Sequence, residues 1–201
     1  MDFTTFGSNS NKVAAPLNLS KGSVLDLTKQ APSLKRCVLG GGWDMAVSGP
    51  TADLDLAAFL IEENGRVTQV PHDVIFFNNM QAPGIFLEGD NRTGAGEGDD
   101  ERIQIDLDAI ERRIHKIVFF ISIFDAVNKR QTFGMIKNAF VRLLDAEDGE
   151  REICRYELSS DYSADTVVTA CSLTRTANGW SFEAIGEGLI ADLNQLLTRY
   201  M

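Results

Sequence analysis

Along much of this chain polar and apolar side chains trade places every second residue, the period of a β-strand with one face buried. Arg102-Ile103-Gln104-Ile105-Asp106-Leu107 keeps the alternation without a break. Ile117–Phe124 (IVFFISIF) is apolar at nearly every position and rich in β-branched and aromatic residues, which predicts a central strand buried on both faces. Asn64-Gly65, Asp148-Gly149 and Asn178-Gly179 each stand between apolar stretches and suit the tight turns of hairpins. They predict that Leu56–Ile61 pairs with Val67–Val70, Phe140–Leu144 with Ile153–Leu158, and Val167–Leu173 with Trp180–Ile185. Helical spacing is confined to two places. Leu107–His115, with Ile110 and Ile114 four apart, predicts a short crossover helix. Leu189–Tyr200 puts Leu189, Leu193, Leu196, Leu197 and Tyr200 on one face and predicts an amphipathic helix of about three turns. The expected fold class is all-β dominated: an antiparallel β-sandwich with a short crossover helix and a C-terminal amphipathic helix. Residues 1–15 are polar and aperiodic apart from Phe3 and Phe6 and read as a flexible N-terminal arm; residues 16–201 read as one domain.

Charge changes the picture. The chain carries 29 acidic against 19 basic side chains, a net charge of −10. That argues against an electrostatic grip on nucleic acid or anionic lipid, which needs clustered Lys and Arg, and leaves cations and basic partners as ligands. The cysteines, Cys37, Cys154 and Cys171, are odd in number and form no CxxC pair, so neither a disulfide framework nor a zinc ribbon is expected. The start of the chain lacks a signal-peptide pattern, and the longest apolar run is too short to span a bilayer. A cytoplasmic protein in a reducing compartment is the expectation.

The candidate chemistry gathers in residues 88–101, EGDNRTGAGEGDDE, where six carboxylates surround a single base, Arg92. Carboxylates this close must stay solvated or fold around a cation, and the glycines would let carbonyl oxygens turn inward beside them. An oxygen-only set without His or Cys suits a hard cation such as Ca²⁺. A solvated acidic loop fits the same residues. Asp53-Leu54-Asp55-Leu56 opens an apolar strand; residues two apart share a face, so Asp53 and Asp55 would form a second acidic wall, with Leu54 and Leu56 turned away. A solvated sheet edge is the alternative there. Asp44 and Asp125 read as strand-end or turn residues, and neither His72 nor His115 sits in a nucleophile or metal motif.

These residues carry a resemblance. The chain resembles the TerD family of tellurite-resistance and stress-response proteins, whose GDNxTGxGxGDDE marker matches Gly89–Glu101. Further matches run in order along the chain: Leu19-Ser20-Lys21-Gly22, Gly42-Trp43-Asp44, Asp53-Leu54-Asp55, Phe76–Asn79, Phe124-Asp125-Ala126, Phe133-Gly134 and Asn138–Phe140. Ala95 departs from a position that is often acidic. The resemblance implies a non-enzymatic β-sandwich that binds two calcium ions in neighbouring sites. Carried over by position, the ligands would be Asp53, Asp55, Asp90, Asn91, Asp99, Asp100 and Glu101, with backbone oxygens near Leu54, Gly94 and Gly96. It also implies partners among other proteins of a Ter-like stress-response system, a membrane-protein partner included, and leaves room for an oligomer. Two other functions use the same residues: a metal-dependent hydrolase built on the acidic loop, and a domain that docks on membranes through calcium.

Overall fold

The computed structural model describes residues 15–45, 52–89, 98–158 and 162–201, with the side chain of Met45 left aside; statements of structure below concern these residues. Thirteen strands form two sheets. In chain order they are β1 (Leu17–Leu19), β2 (Val24–Asp26), β3 (Arg36–Met45), β4 (Leu54–Glu62), β5 (Val74–Ile75), β6 (Gln81–Ala82), β7 (Ile85–Glu88), β8 (Glu101–Asp106), β9 (Ile114–Ile123), β10 (Ile136–Asp145), β11 (Arg151–Glu157), β12 (Val167–Thr176) and β13 (Gly179–Leu189). Three short helices join them: α1 (Leu27–Gln30), α2 (Ala126–Lys129) and α3 (Leu193–Leu197). One sheet has the order β1-β11-β10-β3-β8-β7-β6 and the other β2-β13-β12-β9-β4-β5. Every named pair is antiparallel except β1 with β11. No helix among the described residues is long and apolar enough to cross a membrane.

The core has two layers, and the strand periods show why. On β4, Leu54, Leu56, Ala58 and Leu60 face the space between the sheets, together with Ile117, Phe119, Ile121 and Ile123 of β9. The alternate positions Ala57, Phe59, Ile61, Val118 and Phe120 face outward, yet they too are buried, under Leu196 with Leu193, Leu197 and Tyr200. Tyr200 packs edge-on to Phe59 and Phe120 at 5.6 and 5.9 Å between ring centroids. The C-terminal segment is therefore a lid on the second sheet, and that is why Ile117–Ile121 is apolar on both faces. On the first sheet β8 has no such lid, and its burial alternates as the sequence pattern predicts.

Two of the three expected hairpins form, β10–β11 around Asp148-Gly149 and β12–β13 around Asn178-Gly179. The first does not. Gly65 makes its turn (φ +80°), with its amide on the Glu62 carbonyl at 3.0 Å. Beyond it, however, Val67–Val70 leaves the sheet: the Val67 amide bonds to the Tyr200 carbonyl (2.7 Å), and β5 pairs with β4 instead. Pro71, which lacks an N–H, follows at once. The crossover helix is absent as well; residues 107–113 are turns. Asp106 Oδ1 accepts from the amides of Asp108 and Ala109 (both 3.1 Å), a local bond that competes with helix. Arg175 binds the carbonyls of Ile110, Glu111 and Ile114, oxygens that a helix would use itself. The C-terminal helix is shorter than expected because β13 runs to Leu189 and a capping box between Asp192 and Gln195 starts α3 only at Leu193.

The lid generates a prediction. Leu196→Ala should destabilise the protein by about 2 kcal/mol or more, as large-to-small changes in buried layers do, read from urea unfolding. A loss below about 0.5 kcal/mol, the scale of ordinary surface changes, would mean that the segment does not seal this sheet.

Candidate functional site

The start of β4, the end of β3, the start of β8 and the end of β9 meet at one end of the sandwich through the pairings Gly41–Glu101 and Leu54–Ile123. Asp53–Asp55 and the described end of the acidic motif, Asp99–Glu101, lie here. Leu54 and Leu56 point between the sheets, and Asp55, 7% exposed, turns to the other face beside Ser122 and Phe124. Asp53 precedes the strand, and its carbonyl accepts from the Phe124 amide at 2.7 Å.

The three consecutive acids 99–101 go three ways. Glu101 is 3% exposed and reaches across to the second sheet, where its Oε2 accepts from the Leu56 amide at 2.6 Å. Asp100 stays at the end of the sandwich: its amide donates to the Gly41 carbonyl (2.8 Å) and its Oδ2 accepts from the Trp43 amide (2.8 Å). Asp99 lies over the outer face of the first sheet, against Arg142 Nε (2.6 Å) and Arg102 Nη1 (3.7 Å). Gly40 makes room for it, since a Cβ at that position would collide with the Asp99 carboxylate. Gly42 does the same for Phe140 and the Gly98 carbonyl. Gly40 and Gly42 thus clear the outer face of β3 for the residues leading into β8, while Gly41 faces Leu56 and Ile121 in the core. Asp90, Asn91, Gly94 and Gly96 lie outside the described residues.

Asp100 is held above the ordinary carboxylate range, first by burial and then by the charges of Asp44 and Asp99, with the Trp43 amide acting in the opposite sense. A carboxylate in that setting gains from a nearby cation. Asp44, read in the sequence as a strand-end or turn residue, is the penultimate residue of β3, and it also borders this site, where it accepts from Asn138 Nδ2 at 2.8 Å. Trp43, Asp44, Asp100, Asn138 and Glu157 line one cavity of about 480 Å³ together with Arg155, whose guanidinium lies over the Phe140 ring at 3.9 Å. Asn138 adopts φ +51°, where β10 slips its register with β3. Only the Gly-Trp-Asp match pointed to Asp44; nothing in the sequence pointed to Asn138 as its partner.

At the opposite end, His72, Asp73 and Glu111 bring ligand atoms within 4.8 Å of one another, the one such His/Cys/Asp/Glu group among the described residues. Arg113 already sits among them. It forks onto the fully buried Asp73 (2.6 and 2.8 Å) and also bonds Glu111 (2.7 Å) and Glu62 (3.2 Å). His72 Nδ1 is 2.9 Å from Asp73. This is an ion-pair hub that ties β4 and β5 to the entrance of β9. The three cysteines are free and buried, and burial raises each thiol, Cys154 to about 12.

The TerD domain family profile matches residues 16–200. The chain belongs to the TerD family. It is 40% identical over 187 residues to the tellurium resistance protein TerD of Serratia marcescens, spanning 92% of this chain and 96% of that one. It is 41% identical over 188 residues to general stress protein 16U of Bacillus subtilis, with the same shares of the two chains. Among solved structures, a homologue of telluride resistance protein TerD from Streptomyces coelicolor A3(2) superposes with a TM-score of 0.65 at 25% identity, over 82% of this chain and 96% of that chain. This TerD domain thus shares its sandwich with a solved homologue of telluride resistance protein, and its sequence with relatives named for tellurium resistance and general stress.

The hub at the far end makes its own prediction. Burial raises the Asp73 carboxyl, but Arg113, His72 and the Gln69 amide outweigh it, and the net shift is downward. A depressed carboxylate contributes stability above its unfolded value of about 4 and loses it as pH falls through the folded value. Arg113→Met should therefore cost about 3 kcal/mol at pH 7 by stranding a buried charge. The gap from the wild type should narrow as pH falls below about 4 and through the depressed folded value, where Asp73 becomes neutral. A gap of equal size at both pH values would assign the effect to packing.

Proposed function

We propose that this TerD domain is a non-enzymatic calcium-binding module of a cytoplasmic tellurium-resistance and general stress-response system, acting through protein partners that include a membrane protein. The observation that carries the reading is the Glu101–Leu56 bond, which holds the end of the acidic loop against the Asp53-Leu54-Asp55 strand across the two sheets. The donor chemistry fits: Asp44, Asp53, Asp55, Asp100 and Glu101 offer oxygen alone, the set preferred by a hard cation of flexible coordination. Asp100, whose carboxyl is raised first by burial and then by the charges of Asp44 and Asp99, supplies a reason for the cation to be there. The residues that would hold two ions are Asp53, Asp55, Asp90, Asn91, Asp99, Asp100 and Glu101, with backbone oxygens near Leu54, Gly94 and Gly96. Asp99 has the weakest claim, because Arg142 and Arg102 compete for it. Bound calcium would neutralise the charge gathered on these carboxylates.

Titration calorimetry after chelation tests this. Ca²⁺ should bind, and should raise Tm more than Mg²⁺, which demands a tighter octahedron. Asp55→Asn and Asp100→Asn should each weaken binding about tenfold or more, the cost of a lost charged ligand. Asp148→Asn should not, because Asp148 is a hairpin-turn residue paired with Arg151 at 2.6 Å. An unchanged melting curve in millimolar calcium would refute the proposal. Binding that ignores Asp55→Asn would confine it to the loop.

A further inference from the structure

On the outer face of the second sheet, beside α3, lies a groove of about 550 Å³, within the size range of small-molecule and side-chain pockets, about 300–1,000 Å³. Its apolar walls include Val70, Phe77, Phe124, Leu193 and Leu197. Two of these stand unusually open for large apolar residues, Val70 at 48% and Phe124 at 43% exposure. The charged part of the lining is acidic, with Asp55 on the floor, Asp125 and Asp192 at the rim and no Lys, Arg or His; Asn78, Ser122 and Asn194 add uncharged polar groups. Asp125 accepts from Asn128 (2.6 Å), and Asp192 caps α3. Both rim acids are thus anchored in place. Phe77 stacks edge-on to Phe124 at 5.6 Å, which fixes the exposed ring. The Lys129 ammonium lies 4.8 Å from the centre of that ring, so its face already attracts a cation.

We infer that this groove docks a segment of a partner protein in which lysine or arginine is interleaved with aliphatic or aromatic side chains. Charge complementarity selects that occupant. An apolar wall whose lining charges are all acidic rewards a basic, apolar segment and penalises an acidic one. A second copy of this chain would bring −10 against −10 and another acidic rim. The apolar walls supply affinity through desolvation, and the rim acids set orientation and partner choice. The inference shares Asp55 with the calcium reading and does not otherwise depend on it.

The test uses the full chain in chelator, so that its failure and the failure of calcium binding are read separately. The probe is a fluorescent heptapeptide alternating lysine with leucine and phenylalanine, followed by anisotropy; the comparison peptide has glutamate in place of lysine. The lysine peptide should bind and shift the amide resonances of Val70, Phe124 and Leu193, and the glutamate peptide should not. Phe124→Ala and Asp125→Asn should each weaken binding about fivefold or more, the scale of a lost anchor or a lost rim charge, while Phe86→Ala, an exposed aromatic on the other sheet, should leave it unchanged. Phe124 and Asp125 are surface positions, and melting curves check that both variants fold. Equal binding of the two peptides, wild-type affinity in Phe124→Ala, or shifts clustered elsewhere would overturn the inference. So would a concentration-dependent dimer broken by Phe124→Ala, which would assign the groove to self-association.

Discussion

A carboxyl group buried between two sheets must find a donor, because an unpartnered polar group there costs about 1–3 kcal/mol. Glu101 finds the Leu56 amide, and much of the acidic end follows from that bond. It fixes where the chain entering β8 meets β4, and so which acids can stand together. With Glu101 turned inward, the alternation of β8 sends Arg102 outward to Glu88, Glu150 and Asp99. Asp100, one residue earlier, is left at the end of the sandwich on the Trp43 amide. Gly40 and Gly42 let this happen by clearing space for Asp99 and Phe140 on the outer face.

The second constraint is the double burial of β4 and β9. Phe59 and Phe120 stack at 4.6 Å on a face that would meet water in a plain sandwich, and α3 with Tyr200 covers them. The lid stops short of the acidic end. Where it stops, Asp55 and Ser122 replace the apolar residues of the same face, and the groove begins. Asp55 thus lines the proposed docking groove and is also one of the ligands in the proposed cation site. Two ligands that meet at one carboxylate are coupled, and any effect of one on the affinity of the other is reciprocal.

How legible this was in the sequence depends on the range of the interactions involved. The strands of β8 and β9 and the hairpins at Gly149 and Gly179 rest on local periodicity and turn residues, and all four were read correctly. The failures rest on distant partners. Residues 107–113 lose their helix to Asp106 nearby but also to Arg175, more than sixty residues away. Val67 pairs with Tyr200 rather than continuing a hairpin. At the site, the Asp55 and 99–101 walls were visible as charge patterns, and the opposed faces of Leu54 and Asp55 followed from the period of two. That Asp99 would be taken up by Arg142, 43 residues on, was not. Nor was the entry of Asp44 through Asn138, a contact created by a register slip between β10 and β3.

The central claim is one of place: a cation held at the end of the sandwich where Trp43 touches Asp100. The chain has two tryptophans, and Trp180 stacks under Arg175 rather than beside the acidic end. Terbium, an oxygen-seeking substitute for calcium, emits when a neighbouring indole transfers its excitation, so the pair of tryptophans reports position directly. Sensitised emission should appear on adding Tb³⁺, fall on adding Ca²⁺, vanish in Trp43→Phe and persist in Trp180→Phe. Emission that survives Trp43→Phe and is lost in Trp180→Phe would place the cation elsewhere and contradict the account.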